Sequence, residues 1–163
     1  MKLYLVRHAD STPGFDDNAR TLSEKGKQDM RNMAAFIEPL KLDVAHFYHT
    51  QKVRTKETAA ILAPVLKLEC PPQVSEKLEP ESSLAPLLDD LNSWQDNAML
   101  ISHNPFVSSL FAKLIADNEI KDKIAFKPGS MVCLERTGYE SWILRWMLTP
   151  QLLEGYANRI KGR

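Results

Sequence analysis

The sequence predicts an α/β protein in which a largely parallel mixed sheet lies between two layers of helices, a three-layer α/β/α sandwich. Short apolar runs with strand-like composition alternate with segments in which apolar residues recur at helical spacing. Turn-forming residues bound most of these runs. The last two apolar runs follow one another directly, which is typical of an antiparallel pair at the end of the chain. Alternation of this kind favours a sheet covered by helices on both faces.

The predicted elements follow the order β-α-β-α-α-β-α-β-β. Strands are expected over residues 3–6, 43–48, 98–102, 131–135 and 142–148, and helices over 23–38, 50–66, 83–91, 104–116 and a short stretch after 150. Ser23 and Asn104 are good N-caps, and Pro105 suits a first helical position. Pro64 is expected to kink or split the second helix. Residues 69–81 are expected to form an extended loop with a short strand.

Length and charge limit the classes of function. The 163 residues predict one domain spanning positions 1–163, and 21 basic residues balance 21 acidic ones. No overall field therefore points to nucleic acid or to an anionic membrane, and no apolar run approaches the ~20 residues of a membrane helix. Charged residues interrupt the first ten positions, so no signal peptide is expected. Cys70 and Cys133 are interpreted as reduced thiols of a cytoplasmic protein, with a single disulfide left open.

Polar residues of the types that bind phosphate follow three of the predicted strands. The residues concerned are Arg7 and His8 after the first strand, Thr50 and Arg54 after the second, and Ser102, His103 and Asn104 after the third. Each of them, taken alone, is more often a surface or core residue. Because the carboxyl ends of parallel strands lie along one edge of a sheet, their shared position predicts that they converge.

The chemistry of this set predicts an anion pocket with a built-in nucleophile. A guanidinium binds an oxyanion through two hydrogen bonds, and an imidazole can act as a nucleophile or a proton carrier. Arg54 falls in the first turn of its helix and His103 directly precedes a helix, where the backbone dipole also favours an anion. Arg20, in the loop after the first strand, is expected to fold over the pocket as a further cation.

Other motifs argue against competing functions. His46 and His49 are spaced to lie on opposite faces of a strand, and no cysteine or carboxylate cluster accompanies them, so no metal site is predicted. A Gly-x-x-x-x-Gly-Lys motif is missing, which argues against a nucleoside triphosphatase. Trp142, Trp146 and Met147 are interpreted as packing residues.

The order and spacing of the motifs resemble those of the histidine phosphatase (phosphoglycerate mutase-like) superfamily. The matching segments are Leu5-Val6-Arg7-His8-Ala9, Thr50-x-x-x-Arg54-Thr55-x-x-Thr58 and Ser102-His103-Asn104-Pro105. Residues 18–26 (NARTLSEKG) and the His-x-Pro step resemble the SixA-type phosphohistidine phosphatases within it. The resemblance runs from residue 1 to about 150. Ala9 replaces a common glycine, which suits a negative backbone φ, and Glu57 replaces a common glutamine.

The resemblance implies a set of roles for these residues. His8 would be the nucleophile that becomes transiently phosphorylated, with one ring nitrogen held by a backbone carbonyl. Arg7, Arg20 and Arg54 would bind the phosphoryl oxygens, and His103 would complete the pocket. The chemistry would need no metal or cofactor, because phosphoryl transfer depends mainly on positioning and charge. The expected partners are a phosphohistidine-containing protein and phosphate ion, with no nucleic acid and no membrane.

The substrate class depends on whether the site has a general acid. Glu79 and Glu81, which flank Pro80, are the candidates, Glu79 before Glu81. An imidazole leaving group is far less basic than an alkoxide, so a site without a strong acid favours phosphohistidine. The short chain also has no room for a large cap domain, and an open pocket suits a protein-borne phosphoryl group. Two alternatives remain: a phosphomonoesterase for a small metabolite or phosphopeptide, and a non-catalytic phosphate-binding regulatory module.

Overall fold

The computed structural model describes residues 1–116 and 120–162 and contains one large and one small sheet. The strands are β1 (Lys2–Arg7), β2 (Asp43–Val44), β3 (His46–His49), β4 (Lys67–Leu68), β5 (Gln73–Val74), β6 (Ala98–Ser102), β7 (Met131–Gly138) and β8 (Ser141–Leu148). The α-helices are α1 (Glu24–Ile37), α2 (Val53–Leu62), α3 (Ala85–Ser93), α4 (Phe106–Ala116) and α5 (Tyr156–Lys161).

The large sheet has the strand order β5-β3-β6-β1-β7-β8. The first four strands of this order are parallel, and β7 and β8 are antiparallel to their neighbours. The register pairs Arg7 of β1 with Ser102 of β6, so these two strands end at the same level. The predicted α/β fold with a largely parallel mixed sheet is therefore confirmed, and the described residues form no large cap domain.

The sheet separates two hydrophobic cores, and β1 contributes to both. Tyr4 and Val6 pack into the core formed with α1 and α2. Leu3 and Leu5 pack into the opposite core, formed with α3 and α4. All four are essentially inaccessible to solvent. Because burial of one such side chain contributes about 1.5–3 kcal/mol, β1 is held firmly from both faces. The residues that directly follow it therefore have a well-defined position.

The second strand and second helix of the prediction each divide in the structure. The strand expected over 43–48 breaks at Ala45 into β2, which pairs with β4, and β3, which joins the large sheet. The helix expected over 50–66 begins only at Val53 and ends at Leu62. A 3₁₀ turn containing Pro64 follows it. Proline has no N–H to donate to the preceding turn, which explains the split.

The starts of α1 and α4 test the predicted caps. Ser23 caps α1, because its Oγ accepts a hydrogen bond from the Gly26 amide at 3.0 Å. Gly26 also permits close packing, since a Cβ at this position would lie 2.1 Å from the carbonyl oxygen of Asp10. Helix α4 begins at Phe106, one residue later than Pro105. The side chain of Asn104 accepts a hydrogen bond from Ser108 Oγ at 2.9 Å, within the first turn of the helix.

The structure also tests several smaller predictions about the cysteines, the remaining histidines and the tryptophans. Cys70 is exposed and Cys133 is buried, and both are free thiols, so the disulfide left open by the sequence is not formed. His46 stacks on Trp94 with ring centroids 4.2 Å apart. His49 is buried, and its Nδ1 donates to the carbonyl of Thr50. Trp142, Trp146 and Met147 pack against the cores, as expected. Within the described ranges, no helix has the length and apolar character needed to span a membrane.

Candidate active site

The two predicted active-site histidines follow adjacent strands and face each other. His8 follows β1, and its amide donates to the carbonyl of Ser102 at 3.0 Å. His103 follows β6, and the two imidazole centroids are 5.1 Å apart. The amide of Gly129, at φ +81°, donates to the carbonyls of Arg7 and His8 at 3.1 and 3.0 Å. A side chain is strained at that φ, so glycine suits this position.

His8 has a defined tautomer in the structure. Its Nδ1 lies 2.7 Å from the carbonyl oxygen of Ala9. A carbonyl can only accept, so Nδ1 carries the proton and Nε2 carries a lone pair. Burial lowers the pKa of His8 to about 4, opposed by the Ala9 carbonyl and reinforced by the positive charge of Arg54 and then of Arg7. His8 is therefore neutral at pH 7, with Nε2 free to act as a base or nucleophile. The backbone carbonyl expected for His8 is that of Ala9.

His103 is held by the hydroxyl of Thr50, a contact that the sequence did not predict. Its Nε2 lies 2.9 Å from Oγ1 of Thr50, which also lies 2.8 Å from Oγ1 of Thr55. Burial lowers the pKa of His103 to about 3, with further contributions from His8 and Arg54. Two neutral imidazoles thus face each other beside a cluster of cations. The motif Thr50-x-x-x-Arg54 contained the signal, since its first residue holds one histidine and its last contacts the other.

Arg54 contacts the nucleophile side of this pair. It lies in the first turn of α2, only 5% exposed, and its Nε lies 3.4 Å from Nε2 of His8. Its Nη1 donates to the main-chain carbonyl of Asp17 at 2.6 Å, and its Nη2 to Oδ2 of the same residue at 3.2 Å. These two contacts hold the far end of the guanidinium and leave Nε directed at His8.

Arg7, the last residue of β1, is held by a backbone carbonyl. Its Nη1 donates to the carbonyl of Phe126 at 2.6 Å, and its Nε has no protein partner. Burial lowers the pKa of Arg7, although an arginine stays charged at any physiological pH. Among the described residues, the buried side-chain polar atoms without a protein partner are Nε of Arg7, Nδ1 of His103 and Oγ of Ser130, all close to the end of β1. Such atoms are typical of a binding site.

Arg20 lies in the loop of residues 11–22, called the site loop below. Its Nε donates to the carbonyl of Thr12 and its Nη2 to Oγ of Ser11, both at 2.8 Å. Its Nη1 pairs with Asp17 at 3.2 Å, and 29% of the side chain is exposed. The positive charge still contributes to lowering the pKa of His8. The structure thus brings Arg20 towards the pocket, as expected, but binds its guanidinium to the loop itself.

Two motif residues attach α2 to neighbouring segments. Oε2 of Glu57 accepts a hydrogen bond from the amide of Leu22 at 2.6 Å, which holds the end of the site loop. Oγ1 of Thr58 accepts one from the amide of Ala9 at 3.2 Å. Ala9 is absent from the described non-glycine residues with positive φ, so alanine fits where related motifs have glycine.

The two candidate acids occupy different settings. Oε1 of Glu79 accepts a hydrogen bond from the amide of Gln51 at 3.0 Å, which places its carboxylate next to the Thr50 end of the site. Glu81 is exposed. Of the two, Glu79 is therefore the one that the structure brings towards the pocket.

Asp17 and Lys52 lie beside these residues and were not identified from the sequence. Asp17 lies in a 3₁₀ turn of the site loop, and its carboxylate contacts Lys52, Arg54 and Arg20. Hydrogen bonds from Lys52 and then Arg54 hold the pKa of Asp17 well below its usual range. The spacing of Asp17 three residues before Arg20 suggests a local ion pair, but its contact with α2 depends on how the loop folds.

The comparisons with known proteins agree with this geometry. The model of the histidine phosphatase superfamily (branch 1) matches residues 3–80. An uncharacterized protein of Picosynechococcus sp. is 28% identical over an alignment of 141 positions that covers 82% of this chain and 84% of that protein. A structure of the protein histidine phosphatase SixA complexed with tungstate superposes with a TM-score of 0.84 at 20% identity, covering 94% of this chain and 99% of the other. The phosphoserine phosphatase of Entamoeba histolytica superposes with a TM-score of 0.70 at 15% identity, covering 93% and 98%.

The matched region contains two of the three strand-end motifs, with His8, Arg20 and Arg54. Residues 3–80 of the chain thus resemble the histidine phosphatase superfamily, and the fold is similar to that of the SixA structure.

Proposed function

We propose that this protein is a phosphatase that removes the phosphoryl group from phosphohistidine in a protein, through a transient phosphohistidine on its own His8. The observation that carries the proposal is the state of His8. Its Nδ1 proton is bound by the carbonyl of Ala9, and its Nε2 lone pair faces the guanidinium of Arg54. A neutral imidazole with an unprotonated Nε2 beside fixed cations is what attack on a phosphoryl group requires.

In the first step, Nε2 of His8 attacks phosphorus while the bond from phosphorus to the substrate's imidazole nitrogen breaks. If the other ring nitrogen of the substrate carries a proton, the imidazole leaves as a neutral molecule and needs no acid. The phosphohistidine formed on His8 is protonated in the same way, because Nδ1 keeps its proton and donates it in the hydrogen bond to the Ala9 carbonyl. One imidazole replaces another, so the barrier depends on alignment and on charge stabilisation.

In the second step, water attacks the phosphorus of the phosphoenzyme and the bond to Nε2 breaks. The oxygen and both protons of the water end on phosphate, and His8 returns to its neutral form. Arg7 and Arg54, with Arg20 as the more exposed third cation, stabilise the charge on the phosphoryl oxygens in both steps. His103 is neutral at physiological pH because of its burial, so it contributes a hydrogen bond and not a charge.

A further finding supports the proposal. A structure with the same fold is that of the protein histidine phosphatase SixA complexed with tungstate, an oxyanion. We also extend the proposal to the two expectations that turnover needs no metal or cofactor and that the protein acts in the cytoplasm.

A second candidate, a phosphomonoesterase for a small metabolite or a phosphopeptide, is favoured by the position of Glu79. Its carboxylate accepts a hydrogen bond from the amide of Gln51, the residue that follows Thr50. A carboxylic acid at this place could protonate an alkoxide leaving group. The E. histolytica protein of the same fold was studied as a complex with phosphoserine. Glu79→Gln separates the two functions, because only an ester reaction needs its proton.

The test is a competition between substrates. The enzyme is given a histidine-containing protein phosphorylated chemically with phosphoramidate, together with p-nitrophenyl phosphate and an alkyl phosphate, and His8→Ala is the control. Preference for the phosphohistidine protein, lost in His8→Ala and retained in Glu79→Gln, supports the proposal. Equal or faster hydrolysis of the alkyl phosphate, lost in Glu79→Gln, would replace it with the phosphomonoesterase. Phosphate binding without turnover of any substrate would instead support the non-catalytic regulatory module.

A further inference from the structure

Lys52 is a cation beside the pocket that belongs to none of the motifs discussed so far. It directly precedes α2, and only 12% of its side chain is exposed, which is little for a lysine. Its Nζ contacts Oδ2 of Asp17, the same oxygen that receives Nη2 of Arg54 at 3.2 Å. The ammonium group therefore lies within two hydrogen-bond lengths of the guanidinium that contacts His8.

The backbone around Lys52 also belongs to the site. Its amide lies 3.3 Å from Oγ1 of Thr50, the hydroxyl that holds His103, and donates to it. Its carbonyl accepts a hydrogen bond from Oγ1 of Thr55 at 2.8 Å. The start of the side chain is therefore fixed on the pocket side of α2, and its positive charge is one of those that lower the pKa of His103.

A simple surface ion pair does not account for this arrangement. Exposed pairs contribute little, and Asp17 is 53% exposed. Here two cations converge on one oxygen, and their mutual repulsion is relieved only while an anionic oxygen lies between them. Lys56, one turn further along α2, shows the alternative, since its side chain is exposed. Arg54 has a second contact, to the main-chain carbonyl of Asp17, and so stays oriented if the carboxylate moves away.

We propose that Lys52 is a fourth cation of the phosphate site and that the carboxylate of Asp17 is a resident anion, which a phosphoryl oxygen replaces between Lys52 and Arg54. This inference rests on the proposed function for the identity of the pocket. Asp17 then keeps the two cations in place before substrate binds, and it competes with the phosphoryl group for them. Removing the lysine and removing the aspartate should change phosphate binding in opposite directions.

The experiment measures binding of inorganic phosphate and of tungstate by calorimetry, at low and at physiological ionic strength. Lys52→Met should weaken binding by roughly three- to tenfold, the size of a partly exposed charge interaction, and Lys52→Arg should restore most of it. Asp17→Asn should strengthen binding by a similar factor at low salt, with a smaller gain at high salt. Lys56→Met, which removes the same charge from the exposed face of the same helix, is the matched control and should bind as the wild type does.

If Lys52→Met binds phosphate with the affinity of the wild type, the proposed role of the lysine is refuted. Weaker binding by Asp17→Asn would overturn the role of the aspartate, because it would make Asp17 a support for the cations and not a competitor. Melting curves without phosphate show whether each variant is folded, and Lys52→Gln replaces Lys52→Met if the latter is not. Turnover of the phosphohistidine protein is measured separately. If the wild-type protein does not turn over the phosphohistidine protein, only the proposed function is refuted. If Lys52→Met binds phosphate as tightly as the wild type does, only this inference is refuted.

Discussion

The end of β1 and the site loop supply the same pocket with residues that are held in different ways. His8 is positioned by a strand packed between two cores, and its ring is bound by the carbonyl of the next residue. Arg20 and Asp17 lie in a loop that crosses the surface and is held by side-chain hydrogen bonds. From this difference we expect the strand ends to determine the chemistry and the loop to adjust how strongly the site attracts an anion.

The largest effect should come from His8→Ala. The variant has no nucleophile, so turnover of phosphohistidine should fall by at least ~10³-fold, as when a nucleophile is removed from an enzyme that uses covalent catalysis. Phosphate binding should remain measurable, because Arg7, Arg54 and Arg20 are unchanged. Rapid-quench labelling with ³²P-labelled substrate should find phosphoprotein in the wild type only. Full residual activity would refute the assignment of the nucleophile.

The second-largest effect should come from Arg54→Ala. Loss of a fixed donor directed at developing charge costs about 2.7–4 kcal/mol, or roughly 10²–10³-fold in kcat. Arg54→Lys should recover only part of this, because an ammonium cannot contact His8 and Asp17 in the same fork-like geometry. Steady-state kinetics of the two variants make the comparison. An unchanged rate for Arg54→Ala would place the guanidinium outside the reaction.

The pH dependence of stability should distinguish the buried histidines from the loop. The pKa of His8 falls from 6.5 unfolded to about 4 folded. Between these values the unfolded chain binds a proton that the folded chain does not, so the free energy of unfolding decreases as pH falls from about 6.5 to 4. At about 1.4 kcal/mol per pKa unit, the loss from His8 is roughly 3 kcal/mol.

Asp17 acts in a different pH range. Its pKa is lowered in the folded protein, so its contribution is present above its unfolded pKa of 3.8 and is lost only at lower pH. Urea unfolding between pH 7.5 and 4 should therefore have a weaker pH dependence in His8→Gln and an unchanged one in Asp17→Asn. The same slope in wild type and His8→Gln would contradict the lowered pKa.

Arg20→Ala should have a smaller effect than Arg54→Ala. Its guanidinium is part of the loop's own hydrogen bonding and is 29% exposed, so solvent and salt screen its charge. We expect a roughly tenfold loss in kcat/KM for phosphohistidine that shrinks as ionic strength rises. If the loss matched that of Arg54→Ala, the distinction between strand ends and loop would be wrong.

The smallest effect should come from metal removal. The proposed mechanism uses only imidazole and fixed cations, so EDTA followed by gel filtration should leave kcat unchanged. The measurement compares treated enzyme with enzyme supplemented with Mg²⁺ or Zn²⁺. Inhibition that a metal reverses would contradict the proposal and would require a metal-assisted step.

The sequence predicted the parts of the site that depend on short-range patterns. Arg7, His8 and His103 follow apolar runs that are recognisable as strands, and a parallel register brings such ends to the same level. Arg54 was predicted from its place in the first turn of a helix. The same patterns misplaced the start of α2, because Thr50 and Lys52 suit a helix but serve the site from outside it.

The remainder required the tertiary structure. Ala9 is the specific carbonyl acceptor of His8, Thr50 holds His103, and Asp17 lies between Lys52 and Arg54. Thr50 and His103 are 53 positions apart in the chain, and Asp17 is 35 and 37 positions from Lys52 and Arg54. No local spacing therefore encodes these contacts. They depend on how the site loop and α2 pack against the sheet edge.

The sequence by itself determined the α/β class, the order of the elements and the convergence of two histidines and several arginines at one sheet edge, because hydrophobic periodicity and strand register are local properties. Only the tertiary structure decided the tautomer of His8, the lowered pKa values of both histidines and the pairing of Asp17 with Lys52. The tautomer depends on the backbone conformation that brings the Ala9 carbonyl to the ring, and the other two properties depend on burial and on charges brought together from distant segments. All of these are set when the chain has folded.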